Sequence, residues 1–314
     1  MYYPFLRAKQ FELKALREIA QENPENTYLC PIIEPVKSSF NTLNIAIRDM
    51  KKWKMKFVLI LNPYEGDFAN VDIDVLSNTF EDLKDADWIP GLIYQRNSES
   101  IRKIIDDGAL ENVCLIFKDG IDFEHDSELE SLLQSDSISS VVVANADIRA
   151  SKKKLQTLGK DIIRLDDCFN DQKRNVDYIN NSEEQFSEAI FYFSEDNFAG
   201  FSDYTTLPKN FVSGGMLPYA IAIHLTYKPD GEMIYIHHFV SDSNINQANI
   251  QGKFAEAGGK AVAFFNSHPV YFKSTAINEL EDYINNKKYP GLGVLKKISI
   301  KHHLQLISNI LRNL

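Results

Sequence analysis

Polar or ionisable residues stand at the ends of the apolar, strand-like runs of this sequence. IIE, LIFK, IIRLD, GFSD and AIAIH end in a charged residue or a histidine, and LILN, LIYQ and VVVAN end in an amide. Carboxylates and imidazoles are the usual general acids and bases. We therefore predict catalytic roles for Glu34, Lys118, Asp166, Asp203 and His224, and substrate-binding roles for Asn62, Gln95 and Asn145.

Other interpretations of the same residues stay open. The carboxylates and His224 could together hold Mg²⁺ or Mn²⁺. Lys118 could form a Schiff base, or it could be an ion-pair partner of a neighbouring carboxylate. Strands also end in polar residues simply because the loops beyond them meet water. Any single member of the set could therefore lie at the surface without a chemical role.

A hairpin near residue 230 presents two further histidines. AIAIHLTY and MIYIHHFVS flank the turn YKPDGE, which is typical of two antiparallel strands. A two-residue turn would place His224 on the same face as His237, a predicted ligand contact. A three-residue loop would place it with His238 instead, because a shift by one residue exchanges the faces of a strand.

The elements that must position these residues alternate between strand and helix. Eight strands, from CPIIEP to AIAIHLT, are each separated from the next by a helical or loop segment. Repeated strand–helix units predict a parallel α/β fold, and eight strands suit a (β/α)8 TIM-barrel-like fold whose carboxyl-end rim carries the site. An open doubly wound sheet is the alternative. No GxGxxG motif follows any strand, which disfavours its dinucleotide-binding form.

The chain is predicted to form a single barrel-like domain over residues 1–314. An N-terminal helix lies within residues 1–26, and a helical C-terminal part over residues 244–314 is expected to pack on the barrel. His302 and His303 in the last helix are expected to lie in solvent.

Composition limits the partners and the location of this protein. Thirty-four basic and 44 acidic residues give a net charge of 34 − 44 = −10, which disfavours nucleic acid and anionic membranes as partners. A small-molecule ligand or a protein partner is expected instead, and the oligomeric state stays open. The three cysteines form no CxxC pair, and neither a signal peptide nor a long apolar segment is evident. A cytoplasmic location is therefore expected.

Three segments together resemble one known family. They are the opening YYPFLRAKQFELKALRE with PIIEPVK, the stretch GFSDYTTL, and the block containing IHLTY, IHHFVSD and GKFAEA. The set is similar to the so-called beta protein family of bacteria and phages, and the similarity covers nearly the whole chain. The resemblance implies a bacterial or phage cytoplasmic protein, sometimes from mobile or defence-type gene neighbourhoods. It implies no catalytic residue.

Two functional hypotheses follow from the residues. The first is an acid/base or metal-assisted hydrolase or lyase, acting on a small polar or phosphorylated substrate and centred on Glu34, Asp203 and His224. The second is a non-catalytic binding or interaction protein of a phage or phage-defence system. An enzyme should gather several perturbed titratable groups in one place.

Overall fold

A computed structural model describes residues 1–69, 71, 74–121, 123–144, 149–214 and 217–314. The chain divides into two compact units. Unit 1 comprises Met1–Leu13, Ala20–Asp166 and Phe191–Asp203, and unit 2 comprises Lys14–Ile19, Asp167–Ile190 and Tyr204–Leu314. Helix α1 (Gln10–Glu22) contributes residues to both units. Within the described ranges, no helix has the length and apolar character needed to cross a membrane.

Unit 1 is built on an eight-stranded parallel sheet. Its strands, in spatial and chain order, are β1 (Phe5–Leu6), β2 (Ile32–Ile33), β3 (Phe57–Ile60), β4 (Trp88–Ile93), β5 (Val113–Phe117), β6 (Ile138–Ala144), β7 (Asp161–Asp166) and β9 (Gly200–Asp203). Most of their residues are buried, and every residue of β3, β5 and β9 is. Burial on both faces explains why these strands appear in the sequence as continuous apolar runs.

The first and last strands meet, so the sheet forms a nearly closed barrel. Tyr2 and Phe201 form a parallel bridge. The Tyr3 backbone N–H donates to the Phe201 carbonyl at 2.8 Å, and the Phe201 N–H donates to the Met1 carbonyl at 3.2 Å. This closure confirms the predicted TIM-barrel-like fold over the open doubly wound sheet.

Helices alternate with the barrel strands, as the strand–helix pattern predicts. After α1 they are α2 (Asn41–Lys52), α3 (Val75–Leu83), α4 (Ser98–Asp107), α5 (Leu129–Leu133), α6 (Arg149–Thr157) and the short α7 (Ala189–Tyr192). Apolar residues at helical spacing explain α1, in which Leu13, Leu16 and Ile19 are all buried. Helix α3 begins where the Asp74 side chain accepts the Ser77 backbone N–H at 2.9 Å.

Two predicted strand assignments are wrong. The barrel begins with β1 at Phe5–Leu6, inside the segment predicted only as an N-terminal helix. The strand containing His224 does not belong to the barrel at all, but to a separate three-stranded antiparallel sheet. A pattern of apolar residues shows where a strand lies but not which sheet it joins. The predicted set of eight barrel strands therefore has the wrong first and last members.

Unit 2 contains the antiparallel sheet and three long helices. The sheet has the order β10 (Ala222–Tyr227), β11 (Ile234–Val240) and β8 (Glu183–Ser187). Helices α8 (Ile250–Ser267), α9 (Thr275–Asn285) and α10 (Leu292–Asn313) follow, so the predicted helical C-terminal part is confirmed. One face of the hairpin joins the helices in an apolar core that includes Ile223, Leu225, Phe239, Phe254 and Ile277.

Buried polar side chains hold helix α10 in unit 2. His302 and His303 are both fully buried, so their predicted exposure is wrong. His302 contacts the Ser274 hydroxyl at 2.7 Å and the Thr226 carbonyl at 2.6 Å. These bonds satisfy both ring nitrogens, which allows the imidazole to lie in the core without an unpaired polar atom.

Candidate functional site

Three residues directly follow barrel strands and meet through a fourth residue in a loop. Arg7 follows β1, Glu34 follows β2, and Lys118 follows β5. Glu65 lies in the loop after β3. The carboxyl ends of parallel barrel strands lie on one rim, which is why residues so distant in the chain come together. We call Arg7, Glu34, Glu65 and Lys118 the rim cluster.

Charge-assisted hydrogen bonds link the rim cluster into a chain. The Lys118 Nζ donates to Glu34 Oε2 at 3.2 Å and to Glu65 Oε1 at 2.7 Å. The Arg7 Nε donates to Glu65 Oε2 at 3.0 Å. The Lys118 ammonium also lies 4.7 Å from the Tyr64 ring centroid and 5.2 Å from that of Phe5. Both distances allow cation–π attraction.

The rim cluster is almost completely removed from solvent. Glu34 is 0% exposed and Lys118 is 3% exposed. Burial raises the pKa of Glu34, the negative charge of Glu65 acts in the same direction, and the attraction of Lys118 does not offset them. Burial disfavours the Lys118 ammonium, but Glu34 and Glu65 outweigh it, so the Lys118 pKa lies above its usual value. A lysine held as an ammonium is not a nucleophile, which disfavours the Schiff-base hypothesis. The ion-pair alternative for Lys118 is confirmed.

One oxygen of Glu34 has no hydrogen-bond partner among the described residues. Its Oε1 is buried and receives no hydrogen bond from the residues that the structure describes. An unsatisfied buried acceptor costs about 1–3 kcal/mol, and such atoms are uncommon in folded proteins. The Glu34 carboxyl therefore combines a raised pKa, an adjacent ammonium and an oxygen that can still bind or exchange a proton.

A tight backbone contact places Glu65 in the rim cluster. The next residue, Gly66, has a φ of +66°, and a Cβ added to it would lie 2.2 Å from the Val36 carbonyl oxygen. The Asp67 backbone N–H donates to that same oxygen, and the Asp67 carboxylate accepts from the Ser38 N–H at 2.9 Å. The loop after β3 is thus bound to the segment after β2. Glu65 is absent from the predicted set, and the glycine that follows it is the signal in the sequence that indicates a tight backbone contact there.

The remaining predicted barrel residues have other surroundings. Asp203, at the end of β9, accepts a hydrogen bond from the Tyr2 hydroxyl at 2.5 Å. Asn62 bonds both the N–H and the carbonyl of Ile93, so it joins β3 to β4. Asp166 pairs with Arg164 at 2.7 Å, and Gln95 is exposed. Asn145 lies outside the described residues. Of the predicted residues that the structure describes, only Glu34 and Lys118 belong to the rim cluster.

The predicted histidines all lie in the antiparallel sheet of unit 2. His224 is directly opposite His238 in the register of β10 and β11. This settles the hairpin register, because His237 faces the other side of the sheet and stacks on Phe239 at 4.2 Å between ring centroids. His237 also contacts Glu183 at 3.3 Å. The hypothesis of a barrel-rim role for His224 is corrected, since its strand pairs with β11 and not with a barrel strand.

The rim cluster does not fit the predicted Mg²⁺ or Mn²⁺ site. Its two carboxylates are bridged by the Lys118 ammonium, which occupies the position that a divalent cation would need. Among the described residues, no group of three or more His, Cys, Asp or Glu side chains is arranged to hold a metal ion. The arrangement is suited instead to proton transfer beside a fixed positive charge.

No protein-family model matches the chain, and no curated protein matches it. The resemblance to the beta protein family therefore stays a prediction.

Proposed function

We propose that the rim cluster is the acid/base site of an enzyme of the lyase or hydrolase class, acting on a small polar or phosphorylated substrate. The observation that carries the proposal is the buried Glu34 carboxyl, whose Oε1 has no partner among the described residues while its Oε2 contacts the Lys118 ammonium. Groups with a shifted pKa beside a specific charge partner are concentrated in active sites.

Each residue has a separate task in the proposed reaction. Glu34 takes a proton from a C–H or O–H group of the substrate, and the electron pair of the broken bond stays on the substrate. The Lys118 ammonium stabilises the negative charge that develops, because a fixed cation in a desolvated site interacts more strongly than one in water. A raised pKa also lets Glu34 return the proton later in the cycle. Glu65 holds Lys118 and Arg7 in place.

Two positive groups support an anionic substrate. Arg7 and Lys118 are each 3% exposed, and both belong to the rim cluster. Two cationic side chains at one rim attract an anion. They therefore favour a substrate that carries a carboxylate or phosphate group.

The first experiment separates chemistry from simple binding. Purified protein is screened by thermal shift against pools of small carboxylic acids and phosphorylated metabolites, with and without Mg²⁺ or Mn²⁺. A ligand at 100 times its dissociation constant adds roughly 2.7 kcal/mol of stability. Pools that shift the melting temperature are then incubated in D₂O and followed by ¹H NMR for deuterium incorporation or bond cleavage.

Glu34→Gln is the decisive variant, because it keeps the shape of Glu34 and removes its proton-transfer chemistry. We expect it to abolish exchange or cleavage, whereas Glu25→Gln, which changes an exposed ion pair with Lys54, leaves the reaction intact. Turnover that survives in Glu34→Gln would refute the proposal. A ligand that stabilises the wild type through Glu34 without being converted would favour the predicted non-catalytic binding protein instead.

A further inference from the structure

A carboxylate and two histidines form a separate hydrogen-bonded chain in unit 2. His224 and His238 are directly opposite each other on β10 and β11. Glu184 of β8 is opposite Ile236, which lies two residues before His238 on the same face of β11. Alternation along the strands therefore brings Glu184, His238 and His224 to one face. We call these three residues the histidine relay.

The distances within the histidine relay correspond to direct hydrogen bonds. Glu184 Oε1 is 3.2 Å from His238 Nε2. His238 Nδ1 is 2.6 Å from His224 Nδ1. The second oxygen of Glu184 accepts from the Asn170 amide at 3.1 Å and from the Asn181 amide at 2.5 Å. These two donors hold the carboxylate in its orientation.

The hydrogen-bond chemistry determines where each proton lies. An ionised carboxylate only accepts hydrogen bonds, so His238 must donate its Nε2–H to Glu184. The His238 Nδ1 of a neutral ring then carries a lone pair and accepts the Nδ1–H of His224. A neutral His224 with its proton on Nδ1 has a lone pair on Nε2. The same reasoning applies to the carboxylate–histidine pair of serine proteases, in which the carboxylate sets the tautomer.

The Nε2 of His224 is available for chemistry. His224 is half-buried, and its hydrogen bond to His238 uses Nδ1, so Nε2 has no hydrogen-bond partner within the described part of the chain. The Nε2 atom is not fully buried. Burial, followed by the electrostatic influence of the neighbouring His238 and Lys296, keeps the pKa of His224 well below its usual value. The ring is therefore neutral near pH 7, and its lone pair is free to accept a proton.

A polar cavity adjoins the histidine relay. It has a volume of about 320 Å³ and is lined by residues 167–171 and 208–210. Three consecutive lining residues contact the histidine relay or its neighbour Tyr178. The Phe169 ring centroid is 5.1 Å from that of His224, Asn170 donates to Glu184, and Asp171 is hydrogen-bonded to Tyr178. The Tyr178 ring in turn contacts both histidines, at 4.7 Å and 4.5 Å between centroids.

We propose that His224 Nε2 is the general base of a second site, which takes a proton from water or from the hydroxyl group of a small polar ligand bound in this cavity. The O–H bond breaks, its electron pair stays on the oxygen, and the proton binds Nε2. The imidazolium that forms is stabilised through His238 by the Glu184 carboxylate. This site is independent of the rim cluster, so either proposal can fail without the other.

Glu184→Gln tests the proposal because it should reverse the whole chain of tautomers. The Asn170 and Asn181 amides both donate hydrogen bonds at this position. The glutamine carbonyl must therefore accept from them, which leaves its NH₂ group facing His238. His238 Nε2 must then accept, its Nδ1–H donates to His224, and the His224 proton moves to Nε2. ¹⁵N NMR of histidine-labelled protein distinguishes protonated from unprotonated ring nitrogens. We expect an unprotonated His224 Nε2 in the wild type and a protonated one in Glu184→Gln.

Chemical reactivity provides the second measurement. Diethyl pyrocarbonate acylates unprotonated imidazole nitrogens, and peptide mass spectrometry gives the rate at each histidine. We expect His224 to react at least about tenfold more slowly in Glu184→Gln, since a reversed tautomer removes the reactive lone pair. Glu183→Gln is the matched control, because Glu183 contacts His237, and it should leave the His224 rate unchanged. A wild-type His224 with its proton on Nε2, or equal His224 rates in wild type and Glu184→Gln, would overturn the proposal.

Discussion

Charged and titratable side chains usually lie at the protein surface, but several of them are buried in this protein. Lys118 is 3% exposed between two carboxylates, and His302 is 0% exposed between a hydroxyl and a carbonyl. Removing one member of a buried ion pair is costly because its partner keeps an uncompensated charge. Burying a neutral histidine makes its protonation unfavourable. Each case leads to a measurable change in stability.

Replacing Lys118 with methionine should strongly destabilise the protein. Glu34 and Glu65 would lose their shared ammonium, and breaking a buried pair costs about 3–5 kcal/mol. The measurement is the free energy of unfolding in urea, from wild type and Lys118→Met. Adding Glu34→Gln to Lys118→Met should recover part of the loss, because it removes the carboxylate that has lost its ammonium partner, whereas Glu65 keeps its ion pair with Arg7.

Lys154→Met is the control for that comparison. Lys154 pairs with Glu130, but their side chains are 35% and 51% exposed. A surface pair of this kind contributes about 0–1 kcal/mol. Equal losses for Lys118→Met and Lys154→Met would mean that the rim cluster contributes no more than a surface ion pair.

The buried His302 should make unfolding depend on pH. Burial lowers its pKa from 6.5 to about 4. Between these values the unfolded chain binds a proton that the folded protein excludes, so stability falls as pH drops from 6.5 towards 4 and is unaffected by this group above 6.5. A change in pKa of this size corresponds to about 3 kcal/mol. The measurement is the free energy of unfolding in urea across this pH range, for wild type and His302→Gln. This free energy should depend less steeply on pH in the variant, and parallel curves against pH would contradict the prediction.

At the scale of elements, the loop after β3, which includes a 3₁₀ helix at Gly66–Phe68, has two structural roles. It carries Glu65 into the rim cluster, and Gly66 makes this possible through its positive φ and its contact with the Val36 carbonyl. Asp67 then binds the Ser38 backbone at 2.9 Å. One short loop thus joins the segments after β2 and β3 and also completes a buried ionic chain.

Gly66→Ala should therefore both lower the thermal stability of the protein and disturb the rim cluster. The new Cβ would lie 2.2 Å from a backbone oxygen, which cannot move as a flexible side chain could. A non-glycine residue in such a conformation costs about 1–3 kcal/mol, and the steric overlap adds to that. Thermal unfolding measures the loss, and any ligand found for the rim cluster should bind more weakly.

Gly259→Ala is the matched control at the element scale. Gly259 lies within α8, where an added Cβ meets no atom within 4 Å. Alanine is favoured over glycine in a helix interior by about 1 kcal/mol, so this variant should be slightly more stable than the wild type. Similar losses in both glycine variants would show that the contact with Val36 is unimportant.

The strands of unit 1 show which parts of the fold can be predicted from the sequence. The alternation of strands and helices predicts the barrel. It can be recognised because strands that are buried on both faces appear in the sequence as continuous apolar runs. The two-residue β1 is too short to give a periodic signal. The predicted hairpin of β10 with β11 is present, but a hairpin does not show whether the other edge of β10 pairs with a barrel strand. Glu34 and Lys118 follow apolar strands and can be predicted. Glu65 lies in an irregular loop, where no periodicity marks a buried side chain.

For the whole molecule, the first strand completes the architecture of unit 1. β1 pairs with β2, and the segment just before it pairs with β9, at Tyr2 and Phe201. Arg7 of the rim cluster directly follows β1. The N-terminal segment therefore closes the barrel and supplies part of its candidate site.

Deleting residues 1–9 should abolish cooperative folding of the barrel. β2 and β9 would each lose a neighbour and expose a strand edge, which favours aggregation. Circular dichroism during heating and size-exclusion chromatography measure the effect. Deleting residues 313–314 is the control, since the last residue is 74% exposed and its removal should change neither result. A monomeric deletion variant with an unchanged transition would show that β1 is dispensable.

Barrel closure between the two ends of unit 1 also has a consequence for biosynthesis. The contact between the Ser202 hydroxyl and the Tyr3 carbonyl joins residues that are 199 positions apart. A ribosome adds roughly 5–20 residues per second, so the amino-terminal strand emerges about 10–40 s before the strand it must meet. During that interval its apolar residues have no final partner. The nascent chain of this protein therefore depends on protection, by chaperones or by transient contacts with its own early helices, until translation has passed the last barrel strand.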